Sequence, residues 1–467
     1  MNKLIQIGSF LVASFISISS FAQVSSTMET SLDQTLDSMK TVLNTKSLSA
    51  AIQTADGSMW AHAIGNSGTF SQVTTSDSYL IGSVTKTLLS ACVLDLVDDG
   101  LIALDDSIHE FLPTMLNIDS SITIRQLLNH SSGIFDALAH PHQPDSMNAD
   151  FSRIWTPEEL IQDFVSAPNF AAGTSWSYSN TNYFLLGMII QEVTGNPFYT
   201  ELRNRFYTPL GLTSFCFPTY ESNLGPVAHV WIDLNGDGVL DDVHNFYMNY
   251  ISLNSTAGAA GGYYSTPSDC AKWMRAYQRG DVVSAASLAE AQTVINAPGA
   301  QGNLYGLGLM KNTTHFLGHL AYGHGGDLAY HASSWYFPEF DISITVFNND
   351  NSKTSWNLLP VVRELLKSFL TNQAASLNEN TLDNTKVHPN PFTSEITINL
   401  PADFGKNLSN INLYDAEGNN IAKEVSLFEN ENEYILTLKN LDALPAGMYF
   451  VNLIGQDGSS KIIKVIK

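Results

Sequence analysis

The feature that most limits how this chain can fold is a change of hydrophobic period near residue 371. The stretch "TNQAASLNENTLDNTK" (Thr371 to Lys386) is polar, Asn-rich and without an apolar period, and reads as a linker. Beyond it apolar residues alternate, as in Ile396, Ile398 and Leu400 or Tyr434, Leu436 and Leu438, with turn signals at "AEGNN", "LPAG" and "QDGSS". Period two with regular turns predicts a small all-β sandwich of roughly seven short strands over residues 387–467. Before the linker the periods mix. "SAAIQTADGSMWAHAIG" predicts a hairpin turning at Asp56-Gly57, amphipathic helices are expected over 83–99 and 181–194, and a last helix over about 355–370. The part before the linker is therefore expected to be a sheet flanked by helices, with a helical insertion in the middle. At 467 residues the chain has room for both domains.

The first residues belong to neither. "MNKLIQIGSFLVASFISISSFAQ" has a basic start at Lys3, an apolar stretch to about Ile18, and small residues at Ser20 and Ala22. This is the pattern of a signal peptide (residues 1–22), cut after Ala22. No later apolar run is long enough to span a bilayer. The net charge is −23, with 45 acidic against 22 basic residues, which argues against nucleic acid or an anionic membrane as partner. Cys92, Cys216 and Cys270 are too few for a disulfide framework. One bridge between Cys216 and Cys270 is compatible with export, but burial as small hydrophobic side chains suits all three better.

The helix after residue 83 carries chemistry in its first turn. In "SVTKTLLSACVLDLVDDG" Ser83 and Lys86 are three apart and share one face. An alcohol becomes a useful nucleophile when something takes its proton. A buried amine at a helix N-terminus, its pKa lowered by desolvation and the helix dipole, can do so. Alone the pair reads more readily as an N-cap and a solvated charge. Its company is "YSN" (Tyr178, Ser179, Asn180), just before an amphipathic helix, and "HGG" (His324, Gly325, Gly326), just before a strand pair. By themselves Tyr178 fits a core tyrosine and Asn180 a helix cap.

In order and spacing, SVTK, YSN and HGG resemble the three active-site motifs of the class C β-lactamase and D-alanyl-D-alanine carboxypeptidase superfamily of serine hydrolases. "ITIRQLLNHSSGI", "RFYTPLGLTSF" and "STAGAAGGYYSTPSDCAKWM" resemble it too; the resemblance covers about residues 30–370 and implies an α/β (α+β) fold, an antiparallel sheet flanked by helices with a helical subdomain. The resemblance implies that Ser83 is the acylated nucleophile and that Lys86 and Tyr178 share the general-base work, with a phenol pKa lowered toward neutrality by nearby cations. It implies that Asn180 binds the substrate amide and orients Lys86. His324 stands where many relatives have lysine, and the N–H groups of Ser83 and Asp327 would form the oxyanion hole beside Gly325 and Gly326. His130 in "LLNHSSG" reads as structural. The third motif lacks the hydroxyl and fixed ammonium that a β-lactam or D-alanine carboxylate would meet. That favours an esterase or D-amino-acid peptidase-like enzyme acting on a small ester, amide or peptide. A β-lactamase, a DD-carboxypeptidase and a non-catalytic module binding cell-wall peptides are the other readings.

No cofactor is called for. "DLNGDGVLDDVH" places Asp233, Asn235 and Asp237 at EF-hand positions, but His244 stands where the bidentate glutamate belongs, so calcium and a plain Asp-Gly turn both remain open. The tail, with "KVHPNPFTSEITINLP", "INLYDAEGNNI" and "LPAGMYFVNLIGQDGSSKIIKVIK", closely resembles the C-terminal sorting domain of type IX secretion substrates. It implies the type IX machinery as a partner and a product that is secreted or attached to the cell surface.

Overall fold

The computed structural model describes residues 24–244, 251–379, 386–401, 408–415, 420–421, 424–430, 433–455 and 460–467; the signal-peptide expectation falls on residues outside these. The described chain forms two compact units, one spanning Gln23–Leu370 and the other taking in Thr371–Lys467.

The first unit is built on an eight-stranded sheet, antiparallel throughout. Its central strands are Ser47–Gln53, Ile342–Asn348, Tyr330–Phe337 and Ala321–Leu328, in that spatial order. The first hairpin turns where the sequence places it. Gln53 pairs with Met59, Gly57 takes φ +89°, and the Asp56 carboxylate accepts the Ser58 N–H at 3.0 Å. Alternation along each strand sends opposite faces to opposite cores. Ile342, Ile344 and Val346 join Trp335 and Phe337 beneath the helix Ser26–Leu43, through Met28, Leu32 and Leu36, and the last helix, through Leu358, Val362 and Leu366. The other face is small and polar (Ser343, Thr345, Ser334), which lets the helix Pro267–Arg279 lie close. Ser343 Oγ donates to its Ala271 carbonyl at 2.6 Å. A second core holds the buried helices Thr85–Asp98 and Thr181–Thr194, the expected helical subdomain.

The last helix corrects one expectation. It runs from Ser355 to Glu379, well into the segment read as an unpatterned linker. "TNQAASLNE" has no apolar stripe, but it also has no Gly or Pro to stop a helix already under way, and adding a residue to an existing helix costs little.

In the second unit seven strands form a four-stranded and a three-stranded sheet. Ile396, Ile398, Leu400, Leu436 and Leu438 share a core with Val451, Leu453, Ile463 and Val465, which is the expected sandwich.

The Asp-rich loop settles as a hairpin turn between the paired strands Trp231–Ile232 and Asp241–Asp242. Asp233 accepts the N–H groups of Gly236 and Gly238 at 2.7 and 2.8 Å, and Asp237 accepts that of Val239 at 2.8 Å. These are the hydrogen bonds of an Asx-type turn. Among the described residues no group of three or more His, Cys, Asp or Glu is placed to hold a metal ion.

Candidate active site

Ser83 sits in a single 3₁₀ turn, Gly82–Val84, that leads into the helix Thr85–Asp98. That helix is apolar on nearly every side and buried among others, so its first turn is dry. Lys86, fully buried, donates from Nζ to Ser83 Oγ at 3.1 Å, to Asn180 Oδ1 at 2.8 Å and to the Ala260 carbonyl at 2.8 Å. The third acceptor exists because Gly258 (φ +45°) breaks the segment Ile251–Gly261. Burial lowers the Lys86 pKa to about 7, against an opposing pull from the Asp136 carboxylate. An amine so placed is neutral in a large share of molecules at neutral pH and can receive the serine proton.

The strand Ala321–Leu328 reaches the same turn. Its pairing with Met310–Asn312 covers only residues 321–323, so from His324 onward that edge is free to meet the serine. The approach demands glycine. A Cβ on Gly326 would lie 1.9 Å from the Ile81 carbonyl oxygen, and one on Gly82 (φ +52°) would lie 2.9 Å from the Asp327 nitrogen. The Asp327 nitrogen lies 2.9 Å from a carbon added at Gly82 and the Ser83 nitrogen 3.1 Å from one added at Gly326, so both backbone nitrogens sit at this same close contact of strand and turn. The Asp327 carboxylate turns away, accepting from Ser355 N and Oγ, each at 2.6 Å, and from His331 Nδ1 at 2.6 Å. It ties the strand to the start of the last helix.

Tyr178 is half-buried, with the Ser83 hydroxyl as its hydrogen-bonding partner. Here the structure corrects an expectation. Burial raises the Tyr178 pKa, and the charges of Asp136 and Asp327 raise it further. With burial and two carboxylates opposing ionisation, the phenol keeps its proton. The loop carrying Tyr178 is strapped to Asn129–Gly133, with Ser177 N donating to the His130 carbonyl at 3.1 Å and Gly173 N to that of Ser131 at 2.8 Å.

Around His324 the hydrogen bonds fix every proton. Nδ1 lies 2.5 Å from the Gly325 carbonyl and must donate; Nε2 accepts from the Tyr305 hydroxyl at 2.9 Å. Behind it, His130 Nδ1 accepts the Ser179 N–H at 3.2 Å, so its Nε2 carries the hydrogen directed at Tyr305 Oη, 3.3 Å away. Burial, and then the charge of Lys86, drive His324 down to about 3 and His130 in the same direction. His324 is thus a neutral imidazole. His130, read from sequence as structural, also packs against the Tyr178 ring, tilted by 31° with 4.2 Å between centroids.

Ser83, Tyr178, Asn180, His324, Gly325 and Asp327 line one cleft of about 480 Å³, with Lys86 beneath them and Trp176, Met310 and Trp356 along its walls. All the residues singled out for the site converge here except the Asp233 loop. Sequence reasoning missed Asp136 and Tyr305. An acid inside the otherwise uncharged run "NHSSGIFDALAH" was the available signal for the first.

The fold and a serine–lysine–tyrosine cleft are those of a serine hydrolase built on the β-lactamase fold. The chain belongs to the β-lactamase family, whose sequence profile matches residues 32–363, and residues 386–467 match the secretion system C-terminal sorting domain. Among solved structures it is similar to a D-stereospecific amidohydrolase from Streptomyces sp., at 29% identity, TM-score 0.61, covering 69% of this chain and 94% of that one. It is also similar to the D-amino acid amidase of Ochrobactrum anthropi SV3, at 25% identity, TM-score 0.65, covering 74% and 100%. A putative penicillin-binding protein of Bacillus subtilis is 28% identical over 232 residues, 50% of this chain and 53% of that protein. A putative D-alanyl-D-alanine carboxypeptidase of Escherichia coli is 27% identical over 288 residues, 55% and 65%. The chain thus spans about half the length of the first of these curated relatives.

Proposed function

We propose that the protein opens small amides or esters, D-amino-acid amides and peptides foremost, through an acyl-enzyme on Ser83. The observation that carries this is the buried Lys86 amine 3.1 Å from Ser83 Oγ. Neutral Lys86 takes the Ser83 proton as Oγ bonds to the substrate carbonyl carbon, and the carbonyl oxygen turns its charge toward the Ser83 and Asp327 N–H groups. The proton passes through the Tyr178 phenol to the leaving nitrogen or oxygen as its bond to carbon breaks. Water then adds to the acyl carbon by the reverse proton path and frees the acid.

The choice of amide or ester over a carboxylate-bearing wall peptide rests on charge. No Lys or Arg is among the described residues that line the cleft, and the imidazole at the third motif is neutral, so a substrate carboxylate would be desolvated without a cationic partner there. The test is a panel of D- and L-phenylalanine amide, an uncharged aryl ester and an acyl-D-alanyl-D-alanine, beside labelling with a fluorescent phosphonate. Hydrolysis is expected for the D-amide and the ester, with covalent label on Ser83. Preference for acyl-D-alanyl-D-alanine would return the reading to a carboxypeptidase, and failure to label would favour a binding module.

The sorting domain, together with the signal-peptide pattern of residues 1–22, supports export across both membranes, ending secreted or at the cell surface. Deleting residues 387–467 is expected to hold the protein inside the outer membrane of its host while leaving the hydrolase folded. Appearance of the shortened chain in the medium at the wild-type level would end this reading.

A further inference from the structure

Lys86 is surrounded by groups without negative charge. It touches the Ser83 hydroxyl, the Asn180 amide oxygen and the Ala260 carbonyl. It faces the rings of Tyr178 and Tyr183 at 4.9 and 5.2 Å, and beyond these the imidazoles of His130 and His324, which its charge drives toward neutrality. The nearest balancing charge is one residue removed. Asp136 accepts the Asn180 Nδ2 hydrogen at 2.9 Å through Oδ2 and the Leu138 N–H at 3.1 Å through Oδ1. An amide serves a cation and an anion together in only one orientation, oxygen to the ammonium and nitrogen to the carboxylate, so Asp136 decides which way Asn180 faces. Asp136 forms no ion pair with Lys or Arg among the described residues. Burial makes its ionised form costly, and the Leu138 amide, Asn180 and the charge of Lys86 offset that cost.

We propose that Asp136 is a positioning residue that holds the counter-charge to Lys86 through Asn180, and so sets the pH at which the lysine becomes free to take the Ser83 proton. The proposal rests on the acyl-enzyme reading for its consequence in catalysis, though the charge pairing can be measured without it. The sign follows from electrostatics. Removing the carboxylate makes the ammonium less favourable, lowers the Lys86 pKa, and moves the rising limb of activity to lower pH. A residue that merely supported Asn180 would lower the rate at every pH and leave the limb in place.

The experiment compares full-length wild type with Asp136→Asn, each with ¹³Cε-labelled lysine, the Lys86 resonance being assigned from its loss in Lys86→Met. Two midpoints are read, that of the Lys86 titration and that of Ser83 labelling by a fluorescent phosphonate against pH. Both are expected to fall by about one pH unit in Asp136→Asn, whereas Asp136→Glu, which keeps the charge, stays near the wild-type value. Asp136→Ser is the second neutral variant should Asp136→Asn lose its near-UV circular dichroism. Because the lysine titration needs no substrate, a wild type that never labels would count against the acyl-enzyme reading alone. A Lys86 midpoint that does not move in a folded neutral variant overturns the role given to Asp136, whatever becomes of turnover.

Discussion

Ser83→Ala is expected to lower kcat/KM on an activated ester by about 10⁴-fold or more while leaving the melting temperature at or slightly above that of wild type. The variant removes one oxygen from a cleft wall, so no core packing is lost. The hydroxyl also has no structural duty that its neighbours cannot absorb. Lys86 keeps Asn180 and the Ala260 carbonyl as acceptors, and the turn is held by the Val84 N–H donating to the Ile81 carbonyl at 3.3 Å. Whatever rate survives measures what the N–H pair and substrate binding achieve without a nucleophile. A variant that still turns over the ester at more than a tenth of the wild-type rate would remove Ser83 from the chemistry.

Gly326→Ala should be the most damaging change of a single carbon. The added methyl would fall 1.9 Å from the Ile81 carbonyl oxygen. Both partners are backbone, one in the strand and one in the turn bearing the nucleophile, so no side chain can swing aside. The strand and turn must part, which widens the gap between the Ser83 and Asp327 N–H groups. The expected result is a loss of about 10²–10³-fold in kcat with a smaller change in KM, and a stability loss of about 2 kcal/mol. Gly325→Ala is the control. Its methyl meets side-chain atoms of Ser355 and Gln301 near 2.9 Å, which can yield, so the kcat loss should be much smaller. Equal losses in the two variants would show that the Gly326 contact does not set the geometry of the hole.

Much of this was legible before any coordinates. Ser83 and Lys86 announce themselves because a hydroxyl and an amine share the first turn of an otherwise apolar helix. The two units follow from the switch between mixed and strict two-residue periods. What sequence could not supply was environment. The Tyr178 phenol was expected to be acidified by cations, yet its protonation follows from desolvation and from the Asp136 and Asp327 charges near it, which only the folded chain brings together. The same holds for Asp136 and Tyr305. Asp136 reaches the site only through Asn180, 44 positions away in the chain, and Tyr305 through His324 and His130 on other segments. The helix past Leu370 was missed for a different reason. Its residues lack an apolar stripe, and continuity with a buried helix is not a property of local composition.

The three cysteines give the molecule an unadvertised freedom. Cys92, Cys216 and Cys270 are all buried as free thiols, and burial pushes the last two up to about 12 and Cys92 in the same direction. Thiols so protonated and so shielded neither attack disulfides nor invite oxidants. Once folded, a chain carrying a secretion tail and meeting an oxidising exterior would thus have no bond left to form there and no exposed thiol to be drawn into a wrong pairing. Its durability there is a matter of packing alone, and the same fold should be recoverable from a reducing cytoplasm as from the culture medium.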